Sequence, residues 1–264
     1  MTNIETKKEL NNEFKDLKFI LTSGMRTKLL LAIYERSKNL EELRTELKKP
    51  SATILHGLKD LEIENLVKKV RKYYELTSNG YLLTTNMIKL IENWHAITKN
   101  EYFWNNHNLE DINEFELKNM YLLKDTEFIK ATTSDFAMVF NKYIQLISNA
   151  TELHMLLPIY SENHLKHIID LLDSKKLEYV EIIASQTILK SIEQNEYFRE
   201  NLIESKKVNM ISTEKNLRIF LTYSKEFMAL TLFFEDGHYD DSQMLIGKDK
   251  NALKWAQIIY SKYI

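Results

Sequence analysis

The sequence predicts an α+β module at the front, followed by an α/β domain with a mixed, mostly parallel sheet. Three observations carry this reading. Three amphipathic helical stripes between residues 23 and 61 lead into a strand pair with a basic tip. From Leu153 onward, apolar strand-like runs alternate with helix-like segments. The charge is also divided: residues 1–96 hold 17 Lys and Arg against 13 Asp and Glu, and residues 97–264 hold 19 against 25. At 264 residues, 44% of them hydrophobic, the chain can bury two ordinary cores. The expected divisions are an N-terminal arm (1–22), the first module (23–96), a connector (97–120) and the α/β domain (121–264).

Met1 to Asp16 is polar and mixed in charge, and is expected as a frayed or partly helical arm. Ser23 then supplies an N-cap for a helix whose apolar face is Met25, Leu29, Leu30 and Ile33. The second helix carries Leu40, Leu43 and Leu47 at i, i+3 and i+7, and the third carries Ile54, Leu58 and Leu61 at i, i+4 and i+7. Between them stands Lys48-Lys49-Pro50. Proline is tolerated at a helix start because the first amide hydrogens have no intrahelical acceptor. Three such stripes close into a trihelical core.

With Ile54, Leu58 and Leu61 turned inward, helical geometry turns Ser51, Thr53, His56 and Lys59 outward. Gly57 either permits close approach to DNA or packs tightly on a neighbouring helix. Leu55 either reaches a thymine methyl or closes over a core edge. The segments Leu66–Val70 and Tyr73–Leu76 read as two strands with Arg71-Lys72 at the tip. Lys68, Lys69, Arg71 and Lys72 place four positive charges in five residues. Leu76-Thr-Ser-Asn-Gly80 then opens a long helix to Trp94, with Thr77 or Ser78 as its cap. This ordering is that of a winged helix-turn-helix, which lays its second motif helix in the major groove. Thr53 and His56 are expected to read bases. Ser51, Lys59, Lys68, Arg71 and Lys72 are expected to hold the phosphate backbone. The basic excess is small, which favours a dimer on two half-sites of double-stranded DNA.

Ala96 to Phe115 has no clear period, and its Tyr102, Phe103 and Trp104 are expected to pack onto one of the domains. Ser134 to Ala150 reads as a helix with Phe136, Phe140, Tyr143 and Ile147 on one face. Beyond it, Leu153–Leu157, Tyr179–Ala184 and Val208–Ile211 alternate with helices over Ser161–Leu172 and Gln186–Ile203. That β-α-β-α-β order implies parallel strands with right-handed crossovers. Leu217–Thr222 and Phe227–Phe234 are close enough in sequence to pair antiparallel. Gln243–Ile246 gives a last strand and Ala252–Ile264 a closing helix.

The absence of cysteine excludes disulfides, thiolate zinc and a cysteine nucleophile. No apolar run is long enough to span a bilayer and no secretory leader stands at Met1, so a cytoplasmic protein without membrane contact is expected. Five glycines leave little room for a phosphate loop. His164-Leu-Lys166 followed by Asp170 approaches a phosphodiesterase motif with its aspartate one residue early, and His164 with His167 lacks a third metal ligand. The domain is therefore read as non-enzymatic, with no cofactor and no metal. Ligands of open α/β sheets sit beyond the carboxyl ends of strands. There Ser161, Ser185, Ser212 and Thr213 are candidates for a small-molecule effector, although Ser161 and Ser185 also suit simple capping.

The segments Thr53–Leu61 and Leu76–Gly80, and less sharply Tyr121-Leu-Leu-Lys-Asp125 and the stretch to Pro158, resemble archaeal winged-helix transcription regulators of the methanogenesis regulatory protein FilR family. The resemblance implies a homodimer acting at promoters and supplies no ligand. Most such recognition helices carry a basic residue near the position of His56. The expected function is sequence-specific transcription regulation, with effector sensing or dimerisation in the second domain. Its rivals are a phosphodiesterase targeted to nucleic acid by the winged helix and a protein-interaction adaptor.

Overall fold

The computed structural model describes Phe14 and residues 17–264, so the arm expected over Met1 to Asp16 lies almost wholly outside the described residues. The chain divides into two compact units at residue 91.

In the first unit, residues 17–21 are helical and Ile20 is buried, so the end of the expected arm belongs to the core. The elements that follow are α1 (Gly24–Tyr34), β1 (Lys38–Asn39), α2 (Leu40–Leu47), α3 (Ser51–Ile63), β2 (Val67–Val70) and β3 (Tyr73–Leu76), and then α4 (Ser78–Lys99) begins. Ser23 Oγ accepts the Arg26 amide and caps α1. Asn39 and Glu42 form a reciprocal capping box on α2. Leu29, Leu30, Ile33, Leu43, Ile54, Leu58 and Leu61 close the trihelical core. Gly57 serves packing, because a Cβ there would stand 2.7 Å from Leu29 Cδ1. β1 is a third strand absent from the sequence reading; it pairs antiparallel with β3, giving the order β1-β3-β2.

The second unit opens within α4, which continues through the division. Next come α5 (Glu101–Asn106), α6 (Glu114–Leu117), a 3₁₀ turn (Met120–Leu123), β4 (Glu127–Lys130) and α7 (Met138–Ile147). Then follow β5 (Glu152–Leu157), α8 (Glu162–Asp173), β6 (Tyr179–Ser185), α9 (Gln186–Gln194), β7 (Val208–Thr213), β8 (Ile219–Tyr223), β9 (Met228–Leu232), β10 (Gln243–Gly247) and α10 (Lys250–Tyr260). The sheet order is β4-β10-β9-β8-β5-β6-β7.

The expectation of a mostly parallel sheet is corrected here. Only β5-β6 and β6-β7 are parallel, and the other four pairings are antiparallel. The reason lies in the connections. Parallel neighbours need a crossover of a dozen residues or more, and only α8 and α9 provide one between paired strands. Residues 224–227 and 233–242 turn the chain straight back on itself.

Both faces of this sheet are covered, which is why every residue of β8, β9 and β10 is buried, the polar Thr222, Thr231 and Gln243 included. Phe220, Met155, Leu157 and Ile182 face the side of α7, α8 and α9. Leu156, Ile183, Leu221 and Leu230 face α10 and the aromatics of α5. The stretch expected as a connector is thus part of this unit: Phe103 and Trp104 are buried in its second core, while Tyr102 is half exposed. Three helices are also shorter than expected, the closing one ending at Tyr260 rather than Ile264. Residues before Met138 are turns, which leaves Phe136 exposed rather than on the buried face. The helix after β6 ends at Gln194, where Asn195 caps a new turn by accepting the Phe198 amide.

Candidate nucleic-acid interface

The outward face of α3 follows from its inward one. Ile54, Leu58 and Leu61 are fully enclosed, and Thr53, Leu55, His56 and Lys59 are exposed, with Ser51 half-buried. Pro50 precedes the helix and gives no side-chain cap. The Thr53 and Ile54 amides donate to Pro50 O, which leaves the Ser51 and Ala52 amides for an outside acceptor, and the macrodipole adds partial positive charge there. Arg26 fixes the pose of α3 from α1: Nε and Nη2 donate to Asp60 Oδ2 at 3.1 and 2.6 Å, and the guanidinium lies 3.7 Å from the Phe19 ring centre. These bonds hold the Asp60 carboxyl below its ordinary range. His56 Nε2 stands 3.7 Å from the same carboxylate with its ring open to solvent.

The wing is a two-residue hairpin in which Val70 pairs with Tyr73. Arg71 takes φ +58° and Lys72 does not share a positive φ, the pattern of a type II′ turn that normally places glycine first. Exposed cations crowd this ribbon, but they are not equivalent. Lys68 is paired with Glu75 at 2.9 Å. Lys69 lies on the other face, 5.4 Å from the Tyr74 ring centre. Arg71 and Lys72 have no ion pair among the described residues.

The junction behind the wing is a clasp. Thr77 N donates to Leu66 O at 3.0 Å, Thr77 Oγ1 donates to Asn65 O at 2.6 Å, and Gly80 N donates to Thr77 Oγ1 at 3.1 Å. Gly80 lies so near that a Cβ would stand 1.9 Å from Leu66 O.

The four effector candidates lie at the carboxyl ends of the parallel strands. Ser185 and Thr213 are register partners, and Ser212 is paired with Ala184. Ser185 Oγ accepts the Ile188 amide at 3.4 Å, as a cap does. Ser161 gives α8 no cap bond; its hydroxyl meets His164 Nδ1 at 2.8 Å instead. Thr213 is buried and its Oγ1 accepts the Lys215 amide, while Ser212 is exposed. The phosphodiesterase-like residues do not converge. His164 packs against Phe140, Tyr143 and Phe220, and burial first, then the charge of His167, pushes it down to about 4. Lys166 and Asp170 point to solvent, with Lys166 paired to Glu162.

No helix among the described residues is long and apolar enough to cross a membrane. Residues 14–94 match the family model of the methanogenesis regulatory protein FilR1, N-terminal domain, and residues 136–264 match that of its middle domain. The methanogenesis regulatory protein FilR1 of Methanothrix harundinacea (strain 6Ac) is 24% identical over 259 residues, covering 94% of this chain. The chain spans 56% of that relative's length. Among solved structures, TrmBL2, described as an archaeal chromatin protein with a novel mode of DNA binding, overlaps 89% of both chains at 14% identity and a TM-score of 0.41. An O-methyltransferase family protein from Burkholderia thailandensis overlaps 81% of this chain and 65% of its own at 9% identity and a TM-score of 0.27. Overlaps this loose say nothing of shared function. The two domain matches, in tandem and in order, take in most of the sequence, and the chain belongs to the FilR1 family of regulatory proteins.

Proposed function

We propose that this chain is a sequence-specific, DNA-binding transcription regulator whose second unit senses an effector, forms a homodimer, or does both. The observation that carries the reading is the division of α3: Ile54, Gly57, Leu58 and Leu61 are buried, and Thr53, His56 and Lys59 are exposed beside a cationic wing. In this reading α3 enters the major groove, where Thr53 and His56 meet base edges. Ser51, Lys59, Lys68, Arg71 and Lys72 hold phosphates, and Lys69 joins them. The regulatory name of the FilR1 relative supports the same role.

The test is the salt dependence of binding to a selected duplex. Arg71→Ala with Lys72→Ala is expected to lower the slope of log K against log salt by about 2, since each phosphate contact contributes roughly one counterion. Arg71→Gly is the paired control. It removes one cation while suiting the positive φ, so its slope falls by about 1 while the thermal midpoint holds or rises. Unchanged slopes in both variants would take the wing out of the interface.

Dimerisation has its own support in α4, where Leu82 and Leu90 stand 63% and 59% exposed, eight residues apart. A second copy covering that stripe would bury both. Leu82→Glu with Leu90→Glu is expected to give a monomer in sedimentation equilibrium; an unchanged mass would place the interface elsewhere.

A further inference from the structure

Within the second unit, a pocket of about 570 Å³ lies between the turn carrying Asp111, helix α6, the loop after β7 and the last turn of the chain. The volume suits a small molecule, but the wall is more polar than such sites usually are. Glu110, Asp111 and Glu116 line it against Lys215 and Lys262, an excess of one negative charge. Glu116 is only 1% exposed; its Oε2 takes the Lys262 ammonium, and its Oε1 is buried with no partner. Asp111 differs in its partner: burial pushes its carboxyl up against the attraction of the Arg218 charge, the carboxylate faces the Arg218 backbone amide, and Oδ2 is buried with no partner. Tyr263 lies in the field of both, and its hydroxyl is pushed up to about 12 by burial and then by these two carboxylates.

A charged oxygen buried without a hydrogen bond is costly, and buried polar atoms in native proteins are nearly always paired. Two such oxygens on the lining residues of one pocket call for a donor from outside. We propose that this pocket is a binding site for small primary-ammonium compounds, the ammonium donating to Asp111 Oδ2 and Glu116 Oε1. An ammonium brings three N–H donors and the missing positive charge. An anion would meet a wall whose Lys262 is already engaged by Glu116 and whose Lys215 lies 5.7 Å from the Tyr263 ring centre. A metal ion lacks ligands, since no group of three or more His, Cys, Asp or Glu among the described residues could hold one. The site deepens the effector reading of this unit, on which its regulatory consequence rests: it borders the loop after Ser212-Thr213, where Thr213 Oγ1 fixes the Lys215 amide.

The experiment is calorimetric titration of the full chain with n-butylammonium, n-butanol and butyrate at constant ionic strength. Only n-butylammonium is expected to saturate, and Asp111→Asn and Glu116→Gln are each expected to weaken it tenfold or more. Asp111→Asn keeps the shape of a side chain whose Oδ2 is unpartnered, so it decides the matter if Glu116→Gln lowers the thermal midpoint. Absence of saturable n-butylammonium binding, undiminished binding in Asp111→Asn, or binding of butyrate instead would overturn the proposal. DNA affinity is then measured in saturating n-butylammonium. A change supports the sensor role, whereas binding with DNA affinity unaltered keeps the site and removes that role.

Discussion

Gly80→Ala is expected to destabilise the first unit by about 3 kcal/mol or more, at the upper end for an inserted methyl group. The obstacle is backbone: the new Cβ would stand 1.9 Å from Leu66 O and 2.8 Å from its carbonyl carbon. Leu66 O already accepts the Thr77 amide, and Asn65 O accepts the Thr77 hydroxyl, so the strand cannot retreat without opening the clasp. Retreat would also shift Val67, which begins the wing and is itself buried. Gly57→Ala makes the instructive contrast. Its Cβ would meet Leu29 Cδ1 at 2.7 Å and Met25 Cγ at 3.3 Å, both on side chains that can turn. The gain in helix propensity, about 1 kcal/mol, then largely offsets the crowding. Denaturant unfolding of the full chain, with hydrogen exchange to assign the transition to residues 24–76, measures both. A cost below about 1 kcal/mol in Gly80→Ala would mean that α4 slides freely on Leu66 and that the clasp is not a constraint.

That glycine shows what the sequence could reveal. Leu76-Thr-x-x-Gly80 stood out as a junction, and its spacing was readable because a cap and the residue three along must meet. The contact that makes glycine necessary joins residues fourteen apart, and no local period reports it. The trihelical core was legible for the opposite reason. Ile54, Leu58 and Leu61 announce a buried stripe within a single helix, and Ser23 announces its own cap. β1 escaped because two residues cannot display alternation. β4 escaped because Glu127 and Lys130 give an edge strand polar ends. In the α/β domain, β5, β6 and β7 were recognised with their crossovers. Extending their parallel sense to the whole sheet failed because short returns, not helices, join β8 to β9 and β9 to β10. At the interface, exposure of Thr53, His56 and Lys59 followed from helical geometry. The pairing of Lys68 with Glu75 needed the hairpin register, and the pocket around Asp111 and Glu116 needed residues from three distant segments.

Asp240→Ala is expected to cost the second unit about 3–5 kcal/mol, the usual result of removing one partner from a buried ion pair. His107 and Asp240 have side chains 0% and 1% exposed, and Nε2 lies 3.0 Å from Oδ2. The other ring nitrogen lies 2.6 Å from Phe103 O, so both nitrogens face acceptors and both are satisfied only when each carries a hydrogen. Asp240 also accepts from Ser242 N, Ser242 Oγ and Gln243 Nε2, which fixes the turn entering β10. Burial alone would raise this carboxyl, but the hydrogen bonds from His107 and Ser242 outweigh it and hold the group below the ordinary range. A depressed folded value fixes the sign: the contribution is full above the unfolded value, about 3.9, and is lost as pH falls from there through the folded one. Wild type should therefore lose stability on acidification below about pH 4 more steeply than Asp240→Ala, whose curve lacks this group. His107→Phe combined with Asp240→Leu separates pairing from packing. If the pair acts chiefly by satisfying itself, the double variant recovers much of what the single one loses, because no buried charge is then left alone. Equal losses in the single and double variants would instead mean that Asp240 acts through Ser242 and Gln243, as the brace of the turn rather than as the partner of His107.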